Sequence, residues 1–347
     1  MSLLMLLLSS CATAPERFMF SMPSTRLLNN QSLWPAKPQV SRYSYIGDIR
    51  GESNQVKDGS QQDSVVSKFF AALVGLESDL IAPTDLMRPQ QGVVDANGRI
   101  YVVDTGRQAV FVFDEKSSEF FIWNEDRLNI SFKSPVGIAL AEASILITDS
   151  EQAVVYIFNA QGKIINTIGA GTLQRPTGIA YDPFSKRIFV SDTRDDNIKI
   201  YDLEGVLLDT IGGRGSKPGE FNRPTFLSFH NHKLYVADSL NARIQIFNDQ
   251  DEVIQSIGER GLYVGNFSRP KGVAVDSQGN IYVTESYYDY LLIYNPAGEL
   301  LMSIGGSGNK AGQFSQPTGV WVDDKDRVFV SDMLNGRVSL FQYLGGN

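Results

Sequence analysis

The sequence predicts an all-β fold in which six four-stranded antiparallel sheets stack as blades around one axis, a β-propeller closed by a strand from its own N-terminal part. Three observations predict it. A proline opening a short apolar strand recurs at Pro89, Pro135, Pro176, Pro224, Pro270 and Pro317, in steps of 46, 41, 48, 46 and 47 residues, and a period of that length marks an array of stacked supersecondary units. Within each step, β-branched and alternating apolar residues are interrupted by turn residues about every ten positions, the pattern of a four-stranded meander. The third observation is a displaced phrase. Units close on an apolar pair running into Ile-Gly, as in INTIGAG, LDTIGGRG, IQSIGERG and LMSIGGSG, but the last unit reaches Phe341 and stops without it, while YSYIGDIRG stands at 43–51 before any unit has begun. An open ring of blades would leave two unpaired sheet edges. Pairing the early phrase with the last C-terminal strand removes both.

The elements follow in order. Residues 1–10 are expected to be a signal peptide, with an apolar run from Leu3 to Leu8 too short to span a membrane. Leu8-Ser9-Ser10-Cys11 resembles the lipobox of bacterial lipoproteins, which implies cleavage before Cys11 and lipidation of its sulfur. No Lys or Arg precedes the apolar run, a departure from that pattern. Ala12 after the cysteine resembles the sorting signal for an outer-membrane lipoprotein facing the periplasm, with the cell surface as the alternative. Residues 11–40, punctuated by Pro15, Pro23, Pro35 and Pro38, read as a lipidated tether. Residues 41–51 are the closing strand of blade six. Ile46 and Ile122, which occupy equivalent places, are 76 positions apart, about 30 more than one period, so 52–85 is an insertion. In it DSVVSKFFAALVG places Val65, Val66, Phe69, Phe70, Leu73 and Val74 on one helical face, predicting a short helix over 63–75. Residues 86–347 are the propeller.

Composition narrows the function. The 347 residues are 42% hydrophobic and 20% charged, enough for a substantial core, and the formal charge is −8. A partner held mainly through phosphate neutralisation needs a basic footprint, so nucleic acid is not expected. No apolar run is long enough for a membrane helix, which leaves a lipid anchor as the expected membrane contact. Cys11 is the single cysteine, in keeping with a chain that uses no disulfides.

The pattern R-P-x-G-[VIA]-x-x-D, x-[IL]-[YF]-V-[AST]-D, [RN]-I-x-[IV]-[FY], S-I-G resembles the NHL repeat of six-bladed propellers. It is clearest in NRPTFLSFHNHKLYVADSLNARIQIF and weakest in the second unit, where Ala141 replaces the turn Asp. The whole arrangement resembles the propeller lipoproteins of Gram-negative envelopes. NHL propellers include RNA binders, extracellular sensor domains and a zinc-dependent lyase, so the resemblance implies a fold without selecting an activity.

Candidate residues fall into two groups. Asp104, Asp149, Asp192, Asp238 and Asp332 recur at one place, with Glu285 at the sixth. Each ends a buried strand at a turn, where a carboxylate accepts backbone N–H bonds, so the row reads as structural rather than as a metal ring. Arg88, Arg175, Arg223 and Arg269 precede repeat prolines and are expected to pair with these carboxylates across neighbouring blades. His230 and His232 share one turn and do not supply a zinc ligand set, and no cofactor is expected. The second group consists of departures from the repeat. Glu285, Tyr287, Tyr288 and Tyr290 alter the second hairpin of blade five, Tyr263 stands in the connector before it, and Phe226 replaces the glycine found two residues after proline in four other blades. These residues are the candidate binding rim, since tyrosine joins a rigid apolar face to a polar tip. The function expected is non-catalytic docking of an envelope protein or polysaccharide by a monomeric propeller. The alternative is a propeller-class hydrolase or lyase with a metal in the central channel.

Overall fold

The computed structural model describes residues 18–22, 33–36, 38–57, 84–124, 128 and 130–345. Blade three illustrates the unit. Its strands Pro176–Asp182, Arg187–Asp192, Asn197–Tyr201 and Leu207–Ile211 pair antiparallel in chain order. The second and third strands are buried almost throughout, because blades pack on both of their faces, whereas the outermost strand is exposed except at Ile211. Proline suits the first position of the inner strand, where no ladder donor is required. The glycine after it permits contact between blades: a Cβ on Gly178 would collide with the backbone of Thr225 and Phe226 in blade four.

Six such sheets form a ring, and the inner strand of blade six, Pro317–Val322, packs against that of blade one, Pro89–Val94. There is no single core. Each junction has its own apolar cluster, for example Ile100, Phe111, Trp321, Phe329 and Leu340 between blades six and one, and Ile244, Ile257, Val283 and Leu292 between four and five. The connectors are built alike. Phe221, Phe267 and Phe314 each drop a fully buried ring back under the preceding outer strand. Gly258 is required at one of these bends, since its φ is +88° and any Cβ would strike the Phe267 ring.

The displaced strand is where the sequence places it. Tyr43–Ile49 pairs antiparallel with Arg337–Tyr343, in the register Val338 to Ile49 through Tyr343 to Tyr43. The closing sheet has a fifth strand, which corrects the simple tether expected over 11–40. Leu33–Trp34 pairs with Tyr43 and Ser44, and the Trp34 ring meets Phe341 edge-on at 5.6 Å. Farther upstream, Phe18–Phe20 pairs with Gln55–Lys57. Two- and three-residue strands carry no detectable period, so composition alone made this stretch resemble a linker. The helix expected over 63–75 lies outside the described residues, as does Cys11. The described elements are strands and three 3-10 turns, Glu52–Asn54, Ser239–Asn241 and Met333–Asn335.

Candidate functional site

The recurring carboxylates pin the start of each inner strand. Asp104 accepts the backbone N–H groups of Met87 at 2.7 Å, Arg88 at 2.9 Å and Arg107 at 2.8 Å. Asp149 does the same for Lys133 and Ser134, Asp192 for Gln174 and Arg175, and Glu285 for Ser268 and Arg269. Asp238 and Asp332 take the backbone N–H of Asn222 and of Ser315. Burial holds the Asp104, Asp238 and Asp332 carboxyls above their usual range, against the pull of these hydrogen bonds.

The expected guanidinium pairs across blades are not formed. Arg88, Arg175 and Arg269 meet the carboxylates through their backbone N–H, and among the described residues their side chains make no ion pair. Arg223 gives its N–H to Asp196 of blade three and its guanidinium to the Thr193 carbonyl. The physical reason is position: a residue immediately before the proline that opens the inner strand has its N–H within reach of the carboxylate, while its side chain lines the channel mouth. Three of the six carboxylates take a cation from the third strand instead. Arg243 meets Asp238 at 2.8 Å, Arg337 meets Asp332 at 2.7 Å, and Lys199 meets Asp192 at 2.9 Å.

The freed side chains define the site. Arg88, Arg175 and Arg269, from blades one, three and five, line a cavity of about 1010 Å³ at one mouth of the central channel, together with Lys133 and Lys271. Among the described residues only Glu151 and Asp289 oppose these five cations there. Asp289 is already engaged, accepting the Gln316 N–H at 2.7 Å and the Ser307 hydroxyl. Lys271 sits one residue after Pro270, where the other blades have Gln90, Val136, Thr177, Thr225 and Thr318. Among the described residues its amine has no partner. Burial, with added repulsion from Arg269 and Arg175, pushes the amine below its usual pKa. Sequence reasoning passed over this lysine. Its signal was visible as the single charge in an otherwise neutral ring position.

The candidate rim divides. Tyr287 is 62% exposed and lines the mouth. Tyr263 is 84% exposed, at the tip of the connector between Leu262 and Val264, which are exposed as well. Tyr288 is half-buried, stacks edge-on to Tyr287 at 5.0 Å and donates to the Gly261 carbonyl at 3.2 Å, so connector and hairpin do share one face. Tyr290 is half-buried against the junction of blades four and five. Phe226 is buried in the channel wall at the mouth, and Glu285 is wholly buried in its strand-pinning role. Neither belongs to an exposed rim.

At the opposite end the channel narrows to a cavity of about 270 Å³, among whose walls are Gln91, Tyr181, Phe229 and Trp321. His230 lines that end, while His232 stacks on Phe184 at 3.9 Å and faces Asp249 at 3.2 Å. Among the described residues no group of three or more His, Cys, Asp or Glu side chains gathers to hold a metal.

Comparison with known proteins places this geometry in a class. Residues 267–288, from Phe267 through the inner strand of blade five to Tyr288, match the NHL repeat. Over 128 residues, 36% of the chain, the sequence is 27% identical to Protein brain tumor of Drosophila melanogaster, and the match spans 12% of that protein's length. Among solved structures, virginiamycin B lyase of Staphylococcus aureus superposes with a TM-score of 0.54 at 11% identity, covering 74% of this chain and 96% of that one. An auxiliary nutrient binding protein of Bacteroides thetaiotaomicron superposes with a TM-score of 0.58 at 14% identity, covering 75% of this chain and 70% of that one. At such identities the likeness is one of fold. The chain is a six-bladed β-propeller carrying an NHL repeat, an architecture found in a binding protein and an enzyme alike.

Proposed function

We infer that the protein is a non-catalytic docking propeller of the cell envelope, held to the outer membrane on its periplasmic side through lipid on Cys11, and that it takes a protein or polysaccharide partner at the channel mouth. The observation that carries the reading is the set of five cations, three of them arginines on alternate blades, around a cavity edged by Tyr287 in a chain of formal charge −8. Guanidinium and ammonium groups that make no ion pair among the described residues are suited to binding an anionic partner. Exposed tyrosine beside them adds apolar contact area at low entropic cost.

The test compares wild type with Arg88→Glu/Arg175→Glu/Arg269→Glu for binding to isolated envelope polysaccharide and to envelope protein fractions. Binding that survives all three reversals removes the mouth as the docking site. Stoichiometric capture of a divalent ion in the channel would favour the hydrolase or lyase alternative. For the anchor, Cys11→Ala should abolish incorporation of labelled fatty acid, and equal labelling of the two forms refutes it.

A further inference from the structure

We propose that the mouth is an oxyanion site centred on Lys271 and that its ligand is an acidic polysaccharide, a sugar chain carrying carboxylates. The proposal rests on the mouth being the docking face. Three features choose this ligand. First, the cations are spaced around a cavity from different blades and face inward, with Lys271 set deeper than the exposed Arg175 and Arg269. A nucleic acid backbone is instead neutralised by a basic track across an open surface. Second, Gln90, Thr105, Ser286 and Gln316 stand between the cations. They supply neutral hydrogen-bonding groups suited to sugar hydroxyls, and Tyr287 supplies a face for a ring. Third, the remaining surface is net acidic, since the chain as a whole carries −8 despite this basic mouth. The net charge of the rest of the chain therefore disfavours a polyanion, while the mouth attracts it and steers it to the opening. A cavity of about 1010 Å³ lies at the upper end of ordinary ligand pockets and accommodates several sugar rings.

Lys271 makes the proposal separable from a merely structural role. A half-buried amine beside Arg269 and Arg175, with no partner among the described residues, is a cost to the empty fold. A bound carboxylate would offset that cost. Lys271→Met should therefore weaken the ligand without lowering the melting temperature, the opposite of what removal of a structural ion pair does.

Calorimetric titration of the full chain with a galacturonic acid hexamer, a neutral maltohexaose, inorganic phosphate and a single-stranded RNA oligonucleotide tests this. The uronate should bind and the neutral hexamer should not. Lys271→Met and the exposed Arg175→Met should each weaken the uronate about tenfold or more, the scale of one charge-assisted contact. Lys186→Met removes the same charge from an exposed pair with Glu142 and should leave affinity unchanged. Equal binding of the neutral sugar, preference for RNA, or indifference to both mouth substitutions overturns the proposal. Phosphate bound in a Lys271-dependent way while the uronate fails also overturns it, leaving the docking face in place. Failure of all anions likewise overturns the proposal, while the docking face stands or falls by the arginine reversals against envelope fractions.

Discussion

Arg337 should be the most consequential polar residue of the ring closure. Its side chain is 3% exposed, and its guanidinium donates to Asp332 at 2.7 Å, to Asp48 of the closing strand at 2.8 Å, and to the carbonyls of Asn309, Lys310 and Gln313 at 2.9, 3.2 and 2.9 Å. Asp48 also accepts from Tyr45 at 2.6 Å and from Ser339 at 2.9 Å. Replacing Arg337 by Met keeps the aliphatic stem but strands two carboxylates, one wholly buried, and three carbonyls. Breaking a buried pair from one side costs about 3–5 kcal/mol, or roughly 10 °C in a domain of this size. Blade four holds an internal control. Arg243 binds Asp238 and the carbonyls of Ser216, Lys217 and Glu220, with no terminal strand involved. The difference between Arg337→Met and Arg243→Met therefore isolates the Asp48 arm, about 1.5–3 kcal/mol for a hydrogen bond to a charged group. Urea unfolding of both variants and of Asp48→Asn measures it. If Arg243→Met costs as much as Arg337→Met, or if Asp48→Asn changes nothing, the arginine does not fasten the closure.

Three further outcomes are expected. Trp34→Ala should cost roughly 2 kcal/mol in thermal or urea unfolding, about half a core aromatic truncation, because a half-buried ring leaves Phe341; no change would return residues 33–34 to the tether. Tyr263→Ala should leave the melting temperature unchanged, since that ring is 84% exposed, whereas Tyr288→Ala should lower it by opening space beside Tyr287 and losing the bond to Gly261; equal effects would contradict the placement of the two rings. For pH, burial raises the folded pKa of Asp104, Asp238 and Asp332, so the folded state takes up their protons before the unfolded chain does. Their cost is fully present at neutral pH and is relieved as pH falls through those raised values towards the unfolded 3.8. Carboxyl ¹³C titration should give midpoints above 3.8 for all three, and a midpoint below it refutes the burial argument for that residue.

Much of the ring was legible because each blade repeats the same solution. Pro at the strand start, Gly at the contact with the next blade and Asp at the turn recur with one spacing, so a missing outer strand and a spare one upstream could be matched by counting. Residues 33–34 were illegible for the opposite reason. A two-residue strand has no period, and what holds it is the pairing with Tyr43 and Ser44 and a single aromatic contact. The rim was half legible. Tyr263 and Tyr287 stand out as departures from the repeat and are exposed, but Glu285 departs only in length, since its longer carboxylate still reaches the N–H groups of Ser268 and Arg269. The arginine–carboxylate pairing failed because sequence proximity does not separate an arginine's backbone N–H from its guanidinium. The former went to the carboxylate and the latter to the mouth.

The hydroxyl groups between blades explain why charge appears at position 271 in particular. Inner-strand carbonyls face the neighbouring blade and need donors. Between blades four and five the second strand offers Ala237, which has none, and Thr225 and Ser239 donate to the carbonyls of Lys271 and Pro270 instead. Between six and one, Thr318 donates to Pro89 and Gln90. Thr225 and Thr318 both stand one residue after the repeat proline, so at those junctions that position is committed to holding the ring. Between five and six the donor is Thr284, reaching the Thr318 carbonyl from the second strand. The position after Pro270 is thereby released from the junction, and a lysine can occupy it at no loss of an inter-blade hydrogen bond. Lys271→Thr would then add a hydroxyl where the ring needs none. It should leave the five–six junction as stable as before while removing the deepest charge of the mouth, whereas Thr284→Val should weaken the junction and leave that charge in place.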